Sequence, residues 1–279
     1  MNFYEKENIS LYLDNLKLLE SMVTLKQKIK IYRHDTLGLV LVINGEIQHI
    51  ENYQCMYHEQ LVHLPISFCD CPQTALVLGG GSLFAAYELL KYPSIQAITL
   101  CDHDYTVLKL MEHYYNHAKT VLADKRFHFV ENDGVEFLDS DKTHYDVIVN
   151  DCFNLLKESN TYGYSFFKKM NDMLTDKGVC SDIIYRHIFD GTITHDSIQE
   201  IKKCSNIALS LVTVPEYPGI LHIQTIWGGK NKNIAQTCKS TLNSFQKKCL
   251  ETNNLPFEFY SPQNLPYYLY LPPYIKAML

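Results

Sequence analysis

The chain reads as an α/β protein: a mostly parallel sheet with helices on both faces, preceded by a small antiparallel β unit. Three observations predict this. Strand-like and helix-like apolar patterns alternate from Pro72 onward, the first strand-to-helix joint is the glycine run Gly79-Gly80-Gly81, and the stretch up to Ile50 holds short strands closed by Asn44-Gly45. Repeated β-α alternation implies a sheet buried on both faces, with ligands at the carboxyl ends of its strands.

The elements follow in order. Residues 7–24 carry Leu11, Leu13, Leu16, Leu18, Leu19, Met22 and Val23 among charges, a mixed pattern that predicts a short amphipathic helix or an extended arm. Ile29 and Ile31, Leu39–Ile43 and Ile47–Ile50 read as strands, and Asn44-Gly45 supplies the positive φ angles of a tight hairpin turn. Tyr57–His63 begins a helix with Leu61 and Val62 facing inward, ended by Pro65. Beyond it come a strand at Ala75–Leu78, a helix at Ser82–Leu90, a strand at Ala97–Cys101, a helix at Tyr105–His117, and strands at Phe127–Val130 and Val147–Val149. Helices at Ser165–Leu174 and Ser197–Cys204 flank a strand at Val179–Ile184, strands recur at Ala208–Val214 and His222–Trp227, and the Pro- and Tyr-rich tail from Tyr260 reads as ordered loops packed on the domain. The change of regime divides the chain into an N-terminal hairpin-containing domain, residues 1–70, and a nucleoside-binding domain, residues 71–279.

With 279 residues, 46% apolar and 20% charged, the chain can bury a full α/β core plus a smaller unit. A formal charge of −6 leaves no cationic excess for a phosphate backbone, so nucleic acid is not an expected partner. The first residues lack the basic and apolar regions of a secretory signal, and no apolar run is long enough to span a bilayer, so the expectation is a cytoplasmic protein with no membrane partner. Nine cysteines, an odd number without a regular framework, predict reduced thiols rather than disulfides. Cys69-Asp70-Cys71 has no second Cys/His pair at ligand spacing, so it reads as a connector and no metal is expected.

Three strand ends carry candidate chemistry. Glycines at 79–81 let a ligand approach the backbone where side chains would stand in its place. Their spacing is not the regular Gly-x-Gly-x-x-Gly, and Ser82-Leu83-Phe84 follows, which suits a sulfonium or ribose group better than a pyrophosphate. Asp102 closes the next strand roughly 20 residues further on, where such folds bind ribose hydroxyls. Asn132-Asp133-Gly134 closes another strand: Asp133 would accept from the exocyclic amine of adenine while Gly134 leaves room for the ring, the simpler reading of Asp-Gly being a turn. In this order the three predict an adenosine-type pocket.

Asn44-Gly45-Glu46-Ile47-Gln48, Tyr57-His58-Glu59, Gly79-Gly80-Gly81, Asp133-Gly134 and Tyr217-Pro218-Gly219 fall in the order seen in spermidine synthases, and the closing Phe259-Tyr260 and Leu271-Pro272 resemble that family's tail. The likeness covers the whole chain. It implies a Rossmann-like S-adenosylmethionine-dependent-transferase sheet and transfer of an aminopropyl group to a small-molecule amine in a homodimeric enzyme, with S-adenosylmethionine or its decarboxylated form as co-substrate. By resemblance the donor contacts are Gln27, His58, Gly79, Gly80, Gly81, Ser82, Asp102, Asp133 and Gly134, the acceptor contacts are Tyr57, Asn154 and Tyr217, and Asp151 is the general base.

The chemistry agrees with the role of Asp151, at the end of Val147-Ile148-Val149-Asn150. A free alkylammonium titrates near ~10, so a carboxylate must hold the amine and take its proton before attack. Two positions depart from the family. Its glycine run is usually followed by Asp where Ser82 stands, and its second acidic residue after the base is Asn154. Charge-assisted bonds are worth about 1.5–3 kcal/mol each, so these changes weigh against an ordinary putrescine aminopropyltransferase. Ser82 also removes a charge that would repel the carboxylate of intact S-adenosylmethionine. Methyl or aminocarboxypropyl transfer from the intact molecule is thus an alternative, as is a non-catalytic binding or assembly subunit. Glu158, Asp182 and Glu216 are the carboxylates able to compensate if they face the pocket, and Tyr162, Tyr164, Tyr217, Tyr267 and Tyr268 are aromatic candidates for an amine site, packing being the plainer reading of most.

Overall fold

The computed structural model describes residues 2–6, 9–152, 164–187, 192–217, 220–234 and 256–277. A two-stranded hairpin, β1 (Asn2–Lys6) and β2 (Ile9–Tyr12), precedes a four-stranded antiparallel sheet of β3 (Lys17–Val23), β4 (Lys28–His34), β5 (Gly38–Ile43) and β6 (Glu46–Ile50), in that spatial order. The leucine-rich opening is therefore extended rather than helical. Leu11, Leu13 and Leu16 pack on one face of the sheet against Tyr32, Val40, Val42, Ile47 and Ile50. Asn44 (φ 53°) and Gly45 (φ 90°) make the expected turn between β5 and β6.

The opposite face, with Ile29, Ile31, Leu39 and Leu41 fully buried, packs toward α1 (Cys55–Ile66). This helix starts earlier than its apolar pattern suggests and continues through Pro65. The proline sits in the last turn and leaves the Leu61 carbonyl without its intrahelical donor; Gln224 Nε2 supplies one at 3.2 Å, and Ser67 N–H bonds the carbonyls of His63 and Leu64 to close the end.

The main sheet is built from β7 (Thr74–Gly79), α2 (Phe84–Leu90), β8 (Ala97–Asp102), α3 (Tyr105–Tyr114), α4 (Asn116–Ala123), β9 (Phe127–Glu131), α5 (Gly134–Ser140), β10 (Tyr145–Asp151), α6 (Tyr164–Asp172), β11 (Leu174–His187), α7 (Thr192–Lys202), β12 (Ile207–Val212) and β13 (Ile220–Gly228). Short helices α8 (Leu265–Tyr268) and α9 (Pro273–Lys276) close the described chain. The strand order is β12-β13-β11-β10-β7-β8-β9. β11, β10, β7, β8 and β9 are parallel; β13 is antiparallel to both neighbours, so β12 runs in the parallel sense.

Period-two alternation places side chains in two cores. Ala75, Val77, Ile98, Leu100, Val147 and Val149 join α1 to α4 on one face, while Leu76, Leu78, Cys101 and Ile148 join α5, α6 and α7 on the other. The helix expected through His117 breaks at Tyr115, whose extended backbone turns its buried ring toward His49. The helix α5 is a second departure: Asp133-Gly134 does not end in a turn but caps a helix. Among the described residues no helix is long and apolar enough to cross a membrane.

Candidate active site

Strand register levels the carboxyl ends of the sheet. Asp151 pairs with Gly79, Leu78 with Cys101, and Asp102 with Glu131, so the candidate residues of four strands emerge at one edge. Above that edge lies a cavity of about 470 Å³, roofed by β5 and β6 and walled on one side by Tyr57 and His58 of α1. The connection from β12 to β13 closes the far side with Glu216 and Tyr217, and β13 adds His222. A larger depression of about 850 Å³ lies at the opposite edge, by His144, Thr175 and Ser205, away from all these strand ends.

The glycine run is required by what surrounds it. Gly79 and Gly80 hold φ angles of 70° and 71°. A Cβ on Gly79 would stand 2.7 Å from Cys152 Sγ and 2.9 Å from the Asp151 carbonyl oxygen, and one on Gly80 would stand 3.0 Å from Asp151 Oδ2. On Gly81 it would meet Asp102 Oδ2 at 3.0 Å. The absence of side chains thus lets two carboxylates close on the loop. Asp102 is fixed there by two backbone donors, Gly81 N–H to Oδ2 at 3.1 Å and Asp104 N–H to Oδ1 at 3.0 Å.

Asp151 has a different setting. Its Oδ1 accepts the Tyr57 hydroxyl at 2.8 Å, and its Oδ2 lies 3.9 Å from His58 Nε2. Burial pushes the carboxyl up to about 7, the charge of Asp102 adds to the rise, and the Tyr57 bond opposes it. The same burial, with Asp151 beside it, holds the Tyr57 phenol well above its usual value, so Tyr57 remains a donor. His58 donates from Nδ1 to the Gln54 carbonyl at 3.0 Å, since a carbonyl can only accept. Burial lowers its pKa to about 4, so a neutral ring with a bare Nε2 faces Asp151 and no ion pair forms. Behind it His49, bonded through Nε2 to the Tyr115 hydroxyl at 2.8 Å, is held neutral by burial and by the neighbouring His58 and His117.

Most of the residues predicted from sequence converge here. Gln27, Tyr57, His58, the three glycines, Ser82, Asp102, Asp151 and Tyr217 all line the cavity. Gln27 arrives on the turn between β3 and β4, where its side chain bonds Asp104. Tyr217 is buried and donates its hydroxyl to the Ile47 carbonyl. Asp133 and Gly134 do not line the cavity. Asp133 is exposed and its Oδ1 caps α5, accepting from Val135 N–H at 2.8 Å and Glu136 N–H at 3.2 Å. Asn154, Glu158 and Tyr162 lie outside the described residues. Tyr267 is 78% exposed and Tyr268 stacks on Tyr260, so neither reaches the site.

Of the compensating carboxylates, Asp182 is buried beside the cavity rather than in its wall, accepting from Asn150 Nδ2 at 2.9 Å, and burial raises it to about 6. Glu216 is in the wall. Glu46, Gln48, His49 and His222 also line it and carry no role in the sequence reading; Glu46 and Gln48 belong to the quoted Asn-Gly motif, whereas nothing local marks His49 or His222. The described wall therefore holds four carboxylates, Glu46, Asp102, Asp151 and Glu216, and no Lys or Arg, a field that favours a cationic ligand. No group of three or more His, Cys, Asp or Glu side chains among the described residues is placed to hold a metal ion.

Both the sequence and the fold have known relatives. The family profile described as "Spermine/spermidine synthase domain" matches residues 54–237. The chain is 26% identical over 221 residues to a polyamine aminopropyltransferase of Thermoanaerobacter sp. (strain X514), covering 77% of this chain and 80% of that protein. It is also 26% identical over 263 residues to putrescine N-methyltransferase 3 of Nicotiana tabacum, covering 91% of this chain and 68% of the relative. In fold it is similar to the crystal structure of spermidine synthase from Thermotoga maritima, with a TM-score of 0.84 at 23% identity over 99% of this chain and 92% of that one.

Proposed function

The chain belongs to the spermine/spermidine synthase family, and from that premise we propose that it moves an aminopropyl or related alkyl group from an S-adenosylmethionine derivative onto a small-molecule amine, with Asp151 as the base. The observation that carries this reading is the pairing of Asp151 and Tyr57 at the level strand ends, with the carboxyl near 7 and no Lys or Arg in the wall. A sulfonium donor and an ammonium acceptor are both cations, and such a wall suits both.

The steps follow from the residues. Asp102, with both oxygens oriented by backbone N–H groups, accepts from the ribose hydroxyls, and Gln27 closes that end. The glycine run admits the sulfur-bearing chain close to the backbone. Asp151 takes a proton from the acceptor ammonium; the freed lone pair forms a bond to the carbon beside sulfur, and the carbon–sulfur bond breaks with its electron pair left on a neutral thioether. Tyr57 holds Asp151 in place, and neutral His58 avoids placing a second positive charge beside the sulfonium. We assign donor binding chiefly to the domain of residues 71–279 and the roof of the cavity to residues 1–70. Asp133 and Gly134 remain our choice for the adenine end, which lies beyond the cavity as its described wall defines it.

One observation favours a second reading. The side chain after the glycine run is Ser82, uncharged and in the cavity wall, so nothing there repels the carboxylate of intact S-adenosylmethionine, and one relative bears the name of an N-methyltransferase. Offering the purified protein each donor with an amine, and weighing the products by mass spectrometry, separates the two. We expect an aminopropylated amine from the decarboxylated donor. Methylated or aminocarboxypropylated product from the intact donor alone overturns that expectation in favour of the second reading.

A further inference from the structure

We infer that Glu59 is a positioning residue for the transfer: by clamping the chain end at residues 256–260 onto the side of α1 turned away from the cavity, it sets Tyr57 against Asp151. The kinetic part of this inference rests on the transferase reading. Tyr57 and Glu59 are two positions apart on α1, so at about 3.6 residues per turn their side chains leave the helix roughly 200° apart. One side of the helix carries the donor to Asp151; the other carries a carboxylate that does not line the cavity.

Glu59 is 2% exposed, and successive backbone donors of the chain end meet its oxygens. Oε1 accepts Glu258 N–H at 2.8 Å; Oε2 accepts Phe259 N–H at 2.8 Å and Tyr260 N–H at 2.7 Å. One turn further on, His63 continues the same face, its ring centroid 4.5 Å from that of Phe257 and 5.5 Å from that of Tyr260. Lys91, at the end of α2, donates to the Pro256 carbonyl at 2.9 Å. The segment is thus fastened to both helices, and Glu59 is its central joint. A buried carboxylate facing backbone N–H groups makes a stiff one, because breaking it strands the donors away from water. The start of α1 needs that support. Gln54 gives the helix no side-chain cap, and a helix of 12 residues is marginal unless tertiary contacts hold it. Tyr57 lies in this uncapped first turn and reaches β10 through a single hydroxyl, so a small shift of α1 breaks its 2.8 Å bond to Asp151.

The test is the acid limb of kcat/KM, which reports Asp151. In Glu59→Gln the amide nitrogen cannot accept, the segment loosens and Tyr57 withdraws. The acid limb then rises above its native value near 7, with a several-fold loss at pH 7 that is mostly recovered at pH 9. His58, Asp102 and Cys152, which also face Asp151, are left in place, and in a Tyr57→Phe background Glu59→Gln adds no further rise. Glu59→Asp, with both acceptor oxygens on a shorter arm, keeps part of the native profile, and Glu258→Gln, which keeps its N–H, changes nothing. Two readouts need no turnover. The Asp151 carboxyl, titrated by carbon-13 NMR, shows the same rise, and the amides of residues 258–260 lose protection from hydrogen exchange in Glu59→Gln. A protein that transfers nothing therefore still tests the inference. Should Glu59→Gln fail to fold, Phe257→Ala loosens the segment from its apolar side and gives a smaller rise in the same direction. An equal loss at every pH, a further rise on top of Tyr57→Phe, or deprotected amides with an unmoved Asp151 titration in either variant overturns the inference.

Discussion

Asp102 and Asp151 stand two strands apart at one sheet edge, and they are opposites in construction. Asp102 receives two backbone N–H groups, one for each oxygen, from the loop and the strand end that flank it. Asp151 receives a single phenol, is buried, and titrates near neutrality. The first arrangement makes a fixed acceptor for hydroxyls; the second makes a carboxylate that can take up a proton and release it. The strand end supplies the position in both cases; burial raises Asp151 toward proton exchange, while two backbone N–H groups fix Asp102 for binding.

The sharpest way to break this comparison is Asp151→Asn. Transfer should fall by roughly 10²–10⁴, the usual contribution of a general base. The same change should stabilise the fold. An ordinary Asp titrates near ~3.9, so the folded state binds the extra proton between that value and about 7, and stability falls as pH rises through this window. The full shift corresponds to a ceiling of roughly 4 kcal/mol. With the side chain still 10% exposed, we expect a gain of roughly 1–3 kcal/mol at pH 8, read as a raised Tm, vanishing near pH 4. A variant that loses both activity and stability would place Asp151 in the architecture rather than the chemistry.

Next in size is Gly79→Ala. Its backbone lies in the left-handed region, and the new Cβ would press on Cys152 Sγ, which can turn about one torsion, and on the Asp151 carbonyl oxygen, which is backbone. We expect a loss of roughly 2 kcal/mol or more in denaturant unfolding, together with weakened donor binding. A tolerated alanine would show that the loop can move away from Asp151 and that the level register is not needed.

How far the sequence carried these assignments depended on whether the signal was local. The hairpin turn at Asn44-Gly45, the strand ending in Asp102 and the glycine run each declare themselves within a few residues, because turn chemistry and period-two burial act over that range. The Asp133-Gly134 step was legible as a strand end but not as a helix cap, since the same residues serve a turn equally well and only the apolar pattern of Phe137 and Leu138 decides. Glu216 and His222 enter the cavity because β13 reverses between β12 and β11, a topological fact with no local mark. Glu216 was among three carboxylates of equal standing in the sequence; it and Asp182 are both buried, and of the two only Glu216 stands in the cavity wall.

The smallest effect tests the bond that ties α1 to β10. Tyr57→Phe removes the one hydrogen bond that holds the Asp151 carboxyl down, while the burial that pushes it up remains. The apparent pKa on the acid limb of kcat/KM should therefore rise above its native value near 7, and activity at pH 7 should fall several-fold while activity at pH 9 recovers most of the native rate. A purely structural role for Tyr57 predicts something different, an equal loss at every pH. If the acid limb moves down instead, Tyr57 acts on the amine and not on the carboxylate, and the contrast between Asp102 and Asp151 must be redrawn with the phenol as part of the acceptor site.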